Sequence, residues 1–168
     1  GLPEAERSMI IVCPLNKAEA LVQQHGASHV ISLLGPDTPH RRFGGVTPDR
    51  HLRLTFHDIV QSSDGLQPAS AADAERLVGF IANWPREKPL LIHCWAGISR
   101  STAAAYTALC MLRPAADEEE LAWELRESAP KQKQDPRIAV FARDACAAEF
   151  DRIDQDLVRH RFEREFLR

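Results

Sequence analysis

The chain has 168 residues, of which 44% are hydrophobic and 27% charged, and its formal net charge is −3 with histidine neutral. This composition excludes a disordered or collagen-like chain and is typical of one globular domain, and the charge offers no general attraction to nucleic acid or anionic lipid. The apolar run at residues 9–13 is far shorter than the ~20 residues of a membrane span and lacks the basic flank of a signal peptide. We therefore expect a cytoplasmic protein that binds neither nucleic acid nor membrane.

The first part of the chain predicts a strand, a helix and a second strand. Residues 8–15 form a short apolar run, and Asn16 is a candidate N-cap for a helix over residues 17–25. That helix is predicted to stop at Gly26, because glycine is the usual residue after a helix end. The next apolar run, at residues 29–34, predicts the second strand.

The middle of the chain predicts two further strands, each followed by a helix. Apolar and polar residues alternate over residues 52–57, which is the pattern of a third strand. Ser70 is a candidate N-cap for a helix to about Trp84, because apolar residues recur there at intervals of three or four. Residues 89–94 read as a buried parallel strand, and a helix over residues 100–112 starts a few positions later.

The remaining sequence predicts helices. Residues 117–128 and 135–150 are helix-forming, and an apolar stripe continues to the end of the chain, where it either packs on its own domain or makes an oligomer contact. The element order predicts an α/β sandwich with a mainly parallel central sheet of about four to five strands flanked by helices. We expect one domain over residues 1–168, with a core at 9–150 and a helical extension at 151–168; no oligomeric state is predicted.

The segment over residues 93–101, His-Cys-Trp-Ala-Gly-Ile-Ser-Arg-Ser, carries the chemistry. Cys94 ends a predicted buried strand and Arg100 opens a helix. In so short a loop the backbone N–H groups can turn inward around Gly97 and form a cradle for an anion. The positive end of the helix favours both a bound phosphate and the thiolate form of Cys94.

The side chains of this segment suit phosphoryl transfer. Arg100 can bind two oxygens of a phosphoryl group through its planar guanidinium. Ser101 is placed to donate a hydrogen bond to the sulfur of Cys94, which would make that sulfur a better leaving group. His93 is predicted to orient the loop rather than to transfer protons.

This segment resembles the signature loop His-Cys-x5-Arg-Ser/Thr of the cysteine-dependent protein tyrosine phosphatases, and its Ala-Gly-x-Ser-Arg-Ser form is similar to the dual-specificity branch. The order of strands and helices agrees with that family over about residues 9–150. The resemblance implies that the Cys94 thiolate attacks phosphorus to form a cysteinyl-phosphate, which water then cleaves without any metal or other cofactor. The substrate-binding residues that it implies are Trp95, Ala96, Gly97, Ile98, Ser99 and Arg100.

The resemblance also implies an aspartic acid that protonates the leaving oxygen and later activates water. Asp58 is our choice, because it follows the third predicted strand at about the family's habitual distance from the cysteine. Asp64 is the alternative, since Gly65 after it would suit a mobile loop. A phosphorylated protein or a small phosphomonoester is the expected substrate.

Three observations limit this interpretation. The only tyrosine, Tyr106, lies inside a predicted helix, so strict phosphotyrosine selectivity is not expected. The variable positions of the loop carry no basic residue, which disfavours inositol lipids as substrates. Trp95 either lines the pocket against an aromatic leaving group or packs beneath the loop.

Two other functions remain open, namely a phosphate-binding module without catalysis and a rhodanese-like sulfurtransferase.

The four cysteines are widely and unevenly spaced, which predicts neither a disulfide framework nor a zinc site. Cys13, Cys110 and Cys146 are predicted to be core or inert residues. Because Cys13 ends the first predicted strand, it is a candidate partner for a protective disulfide with Cys94 under oxidation.

Overall fold

A central sheet with helices on both faces forms the protein in a computed structural model that describes residues 10–57, 65–66, 69–95, 100–113, 115, 117, 120 and 138–139. Within these residues the strands are β1 (Ile10–Pro14), β2 (His29–Leu34), β3 (His51–Thr55), β4 (Leu90–Cys94) and β5 (Ile138–Ala139). The helices are α1 (Leu15–His25), α2 (Ala71–Asn83) and α3 (Arg100–Leu112), and a short 3-10 helix (Pro48–Arg50) precedes β3. The strand order is β3-β2-β4-β1-β5, parallel throughout except for β5. The predicted α/β class with a mainly parallel sheet is confirmed.

The strands differ in burial according to their place in the sheet. Every residue of β1, β2 and β4 is buried, as expected of central parallel strands that are covered on both faces. The edge strand β3 instead exposes Arg53 and Thr55 while burying Leu52 and Leu54. This difference explains why β3 alone showed a clear alternation in the sequence.

Alternate residues of each strand face two separate hydrophobic cores. One core contains Ile10 and Ile92 and is covered by α2 and α3, whereas the other contains Ile11 and Leu91 and is covered by α1. Successive side chains of a strand point to opposite faces, so a residue's position in β1 or β4 decides which core it joins. The predicted apolar face of α2 is buried in the first core, through Ala74, Leu77, Val78 and Ile81.

The predicted ends of the helices are largely confirmed. Ser70 caps α2, because its hydroxyl accepts a hydrogen bond from the Asp73 N–H (3.1 Å) while the Asp73 carboxylate accepts one from the Ser70 N–H (2.9 Å). The helix α1 ends as predicted before Gly26, whose φ of 63° places it in the left-handed region.

The predicted start of α1 is wrong by two residues. The helix begins at Leu15, with Pro14 rather than Asn16 in the N-cap position. No side chain caps it; instead the Leu15 N–H donates to the backbone carbonyl of Trp95 at 3.2 Å. A partner from the distant β4–α3 loop thus satisfies one of the N–H groups that the start of a helix leaves without an intrahelical acceptor.

The predicted helix over residues 135–150 is wrong at Ile138–Ala139, which form β5. This strand pairs antiparallel with Ile10 and Ile11 of β1. The unpaired edge of β1 offers backbone donors and acceptors, and pairing with them outweighs the local helical preference. The rest of that helix and the extension at 151–168 lie outside the described residues, as does all of 117–128 except Asp117 and Glu120, so the division of the domain stays a prediction.

Candidate active site

The junction between β4 and α3 holds the predicted nucleophile. The strand ends at Cys94 and the helix begins at Arg100, as the sequence predicts. Cys94 is 2% exposed, and Ser101 in the first turn of α3 places its Oγ 3.2 Å from the Cys94 Sγ. When the sulfur carries a negative charge, this hydroxyl is the donor of the bond. Ala96, Gly97, Ile98 and Ser99, the predicted anion cradle, lie outside the described residues.

The guanidinium of Arg100 is buried and held from two loops. Its Nη1 donates to the Phe56 carbonyl at 3.1 Å, and a Cβ at Gly35 would lie 3.8 Å from the same atom, so Gly35 borders the guanidinium. Its Nε is buried and has no hydrogen-bond partner among the described residues. Because buried N–H groups are nearly always paired in proteins, this free donor is suited to an anionic ligand.

The imidazole of His93 is the buried neighbour of Cys94. Its Nδ1 lies 3.2 Å from the Cys94 carbonyl oxygen and its Nε2 lies 2.6 Å from the Ser32 Oγ. Burial lowers the pKa of His93 from its ordinary value of 6.5 to about 4. The ring is therefore neutral at pH 7 and can hold the backbone of Cys94 without adding charge.

Solved structures match this architecture, although no protein-family model and no curated protein matches the sequence. The Cydia pomonella PTP-2 phosphatase gives a TM-score of 0.55 at 24% identity, with 74% of this chain and 80% of that one covered. DUSP15 gives a TM-score of 0.56 at 16% identity, with 98% and 94% covered. The human tyrosine phosphatase-like serine/threonine/tyrosine-interacting protein gives 0.55 at 20% identity, with 72% and 83% covered.

The chain has the fold of the dual-specificity type of cysteine phosphatase. At these identities the likeness concerns the fold, and the chemistry of the site has to be argued from its own residues. In this fold the segments that follow β2, β3 and β4 all lie at the carboxyl end of the strands, which explains how Gly35 and Phe56 come to lie beside Arg100.

Trp95, which directly follows the nucleophile, is exposed. It is 62% exposed, which does not fit the interpretation that it packs beneath the loop. Its backbone is nevertheless fixed, because its carbonyl accepts the hydrogen bond from Leu15 at the start of α1. The indole of Trp95 therefore lies exposed next to the nucleophile in the chain, and the hydrogen bond to Leu15 holds the Trp95 backbone in place.

Cys13 lies on the wrong face of the sheet for the disulfide suggested by the sequence. It pairs in register with His93 and belongs to the core under α1, whereas Cys94 belongs to the core under α2 and α3. Side chains on opposite faces do not suit the short Cβ separation of a disulfide. Burial, followed by the nearby charge of Cys94, raises the pKa of the Cys13 thiol, so this thiol is unreactive at neutral pH.

Both predicted acids, Asp58 and Asp64, lie outside the described residues. The last described residue before Asp58 is His57. It directly follows Phe56, whose carbonyl accepts the hydrogen bond from Arg100.

Among the described residues no group of three or more metal-binding side chains is found, and none of the described helices is long and apolar enough to cross a membrane.

Sequence reasoning missed three residues around His93. Ser32 hydrogen-bonds both His93 and His51, and Phe43 packs edge-on against both imidazole rings. The only signal in the sequence was a serine inside the otherwise apolar part of β2. A buried hydroxyl in such a strand requires a partner, and here the partners come from both neighbouring strands.

The buried histidines predict a loss of stability in mild acid. Burial lowers the pKa of His51, like that of His93, to about 4. An unfolded chain takes up these protons near pH 6.5, so stability is complete above that pH and falls as the pH drops towards 4, by up to about 1.4 kcal/mol per pH unit for each histidine. Urea unfolding at pH 8 and at pH 5 checks this, and His51→Gln should reduce the difference between the two free energies of unfolding.

Proposed function

We propose that the chain is a metal-independent phosphomonoester hydrolase, a protein tyrosine or dual-specificity phosphatase that works through a cysteinyl-phosphate on Cys94. The observation that carries the proposal is the pairing of Cys94 Sγ with Ser101 Oγ at 3.2 Å, beside a buried arginine whose Nε has no partner within the described part of the chain. A sulfur with its own hydrogen-bond donor, next to a free cationic donor at a helix start, suits transfer of a phosphoryl group.

In the first step the Cys94 thiolate attacks phosphorus, the bond from phosphorus to the ester oxygen breaks, and its electron pair stays on that oxygen. Asp58 gives the departing oxygen its proton. Arg100 binds the equatorial phosphoryl oxygens, where the N–H groups of its planar guanidinium stabilise the charge of the transition state.

In the second step water attacks the phosphorus of the cysteinyl-phosphate and the bond from sulfur to phosphorus breaks. The electron pair returns to the sulfur, and the Ser101 hydroxyl stabilises the thiolate that forms. Asp58, now ionised, takes a proton from the water, which leaves the enzyme ready for another cycle.

The proposed substrate is a phosphorylated protein, with small aryl phosphates as model substrates. The exposed indole of Trp95 supports an aromatic leaving group, because it presents an apolar ring beside the nucleophile. Tyr106 is buried within α3 and forms no part of a recognition surface, which supports action on phosphoserine or phosphothreonine as well as phosphotyrosine. The cytoplasmic location expected from the sequence belongs to the same proposal.

Release of the phenol from an aryl phosphate, by reduced protein with a metal chelator present, tests the proposed function. We expect turnover that the chelator does not change. No turnover by folded, reduced protein that still binds inorganic phosphate would favour a binding module instead. Sulfur transfer from thiosulfate to cyanide would favour the rhodanese-like alternative.

The role of Asp58 predicts a dependence on the leaving group. Asp58→Asn should lower kcat by about 10²-fold for an alkyl or weakly acidic phenyl phosphate, because general acid catalysis typically contributes 10²–10⁴-fold. It should slow an ester of an acidic nitrophenol far less, since that oxygen leaves without a proton. Steady-state kinetics on both esters measures the difference, and Asp64→Asn is the matched variant. A larger effect at Asp64 would transfer the role to that residue.

A further inference from the structure

Three buried polar side chains on neighbouring strands form a continuous hydrogen-bonded chain that leads to Cys94. Ser32 of β2 lies with its Oγ 2.7 Å from His51 Nε2 on β3 and 2.6 Å from His93 Nε2 on β4. Ser32 pairs in register with His93, and His51 precedes by two residues the β3 partner of Ser32, Arg53. All three side chains of the hydrogen-bonded chain therefore share one face of the sheet, the face covered by α1.

The positions of the protons in these hydrogen bonds follow from a single atom, the backbone oxygen of Cys94. A carbonyl only accepts hydrogen bonds, so the His93 Nδ1 at 3.2 Å must carry the proton and donate it. In a neutral ring the His93 Nε2 is then an acceptor, which makes the Ser32 hydroxyl its donor. The Ser32 oxygen in turn accepts from His51, so His51 carries its proton on Nε2.

The surroundings keep both rings in the neutral form. Burial is the main cause that lowers the pKa of each histidine to about 4. The charged groups that face the two rings act in the same direction, with Arg53 and His40 beside His51, and His40 and Arg41 beside His93. Phe43 packs edge-on against both rings, at centroid distances of 5.3 and 5.6 Å, and helps to exclude water.

We propose that Ser32 and His51 are positioning residues for the nucleophile, because they hold His93 in the tautomer whose Nδ1–H binds the Cys94 carbonyl. That carbonyl belongs to the same planar peptide unit as the Trp95 N–H, and the two groups point in opposite directions. Fixing the oxygen therefore fixes the direction of the first backbone N–H after the nucleophile. The role of this arrangement in catalysis rests on the proposed function, whereas the tautomers of His93 and His51 do not depend on it.

The tautomers are tested on the unaltered protein by two-dimensional NMR that correlates ring carbon protons with both ring nitrogens at pH 7. We expect the pattern of an Nδ1–H ring for His93 and of an Nε2–H ring for His51. The opposite tautomer at His93, or a charged ring at either position, would overturn the proposal. No turnover is measured, so this result stands apart from the outcome for the proposed function.

Alkylation of Cys94 by iodoacetamide as a function of pH tests the positioning role, again without a substrate. Ser32→Ala should move the midpoint of this profile upward by about 1–2 pH units, since the loss of a hydrogen bond to a charged group corresponds to roughly that shift. Ser28→Ala is the matched control, because it removes a similar bond, 2.7 Å long, from Ser28 Oγ to His29 Nδ1 before the same strand. We expect no shift for Ser28→Ala.

Conservative variants keep the test decisive if Ser32→Ala does not fold. Ser32→Thr keeps the hydroxyl and should leave the alkylation midpoint unchanged. His51→Gln keeps an N–H donor near the position of Nε2 and should do the same, whereas His51→Leu should reproduce the shift expected for Ser32→Ala. Equal midpoints for His51→Leu and His51→Gln, or for folded Ser32→Ala and the wild type, would overturn the proposal.

Discussion

Replacing Cys94 with serine is expected to lower kcat for an aryl phosphate by about 10⁴-fold or more, because a catalytic nucleophile acts as a unit with the groups around it. A serine hydroxyl is not ionised at neutral pH, and the hydrogen bond from Ser101 cannot compensate for the lost thiolate. Sulfur and oxygen are close enough in size for the 2% exposed site to keep its packing. Binding of inorganic phosphate should therefore persist.

The measurements for Cys94→Ser are steady-state kinetics and calorimetric titration with inorganic phosphate. Cys110→Ser is the matched control, since Cys110 is a second buried thiol that lies further along α3. It should reduce stability but leave kcat within about twofold of the wild type, as expected for a core change remote from the chemistry. Residual activity of Cys94→Ser above about one per cent would be incompatible with a covalent intermediate on this sulfur.

Replacing Arg100 with lysine is expected to lower kcat by about 10²–10³-fold, which is the typical cost of removing a donor aimed at transition-state charge. Lysine presents a single ammonium and cannot give two parallel N–H bonds to phosphoryl oxygens. It also lacks the geometry that lets Arg100 bind the Phe56 carbonyl through Nη1 while its Nε has no hydrogen-bond partner among the residues that the structure describes. The loss should appear mainly in kcat, with a smaller rise in KM.

Arg86→Lys is the control for Arg100→Lys, because Arg86 is also buried but precedes β4 at the opposite end from Cys94. Both variants should unfold at somewhat lower urea concentrations than the wild type. Only Arg100→Lys should lose activity. Equal kcat/KM values for Arg100→Lys and the wild type would rule out the two-oxygen clamp.

The elements that the sequence predicts well are those that local physics determines. The helix α3 begins and ends where the sequence places it, and Ser70 is the N-cap of α2 as predicted, to which the structure adds the reciprocal bond from Asp73. The strand β2 was also found with its bounds, because it is a short, buried apolar run between turn residues. The junction of β4 and α3, which carries Cys94 and Arg100, belongs to this class.

The features that escaped prediction depend on partners far apart in the chain. The start of α1 is set by a carbonyl at Trp95, and β5 exists because β1 has a free edge. The link from His51 through Ser32 to His93 joins three strands, so no window of sequence contains it. Propensity describes neighbours along the chain, and these contacts are decided by neighbours in the sheet.

The bond from the Leu15 N–H to the Trp95 carbonyl has an electrostatic consequence. Because β1 and β4 are adjacent and parallel, α1 and α3 both begin at the carboxyl end of the sheet, although they cover opposite faces. Each helix start carries about half a positive charge, so the two ends repel each other in the free protein. An anion bound at this end of the sheet relieves that repulsion as well as forming its own contacts, so its binding stabilises the folded protein through both effects.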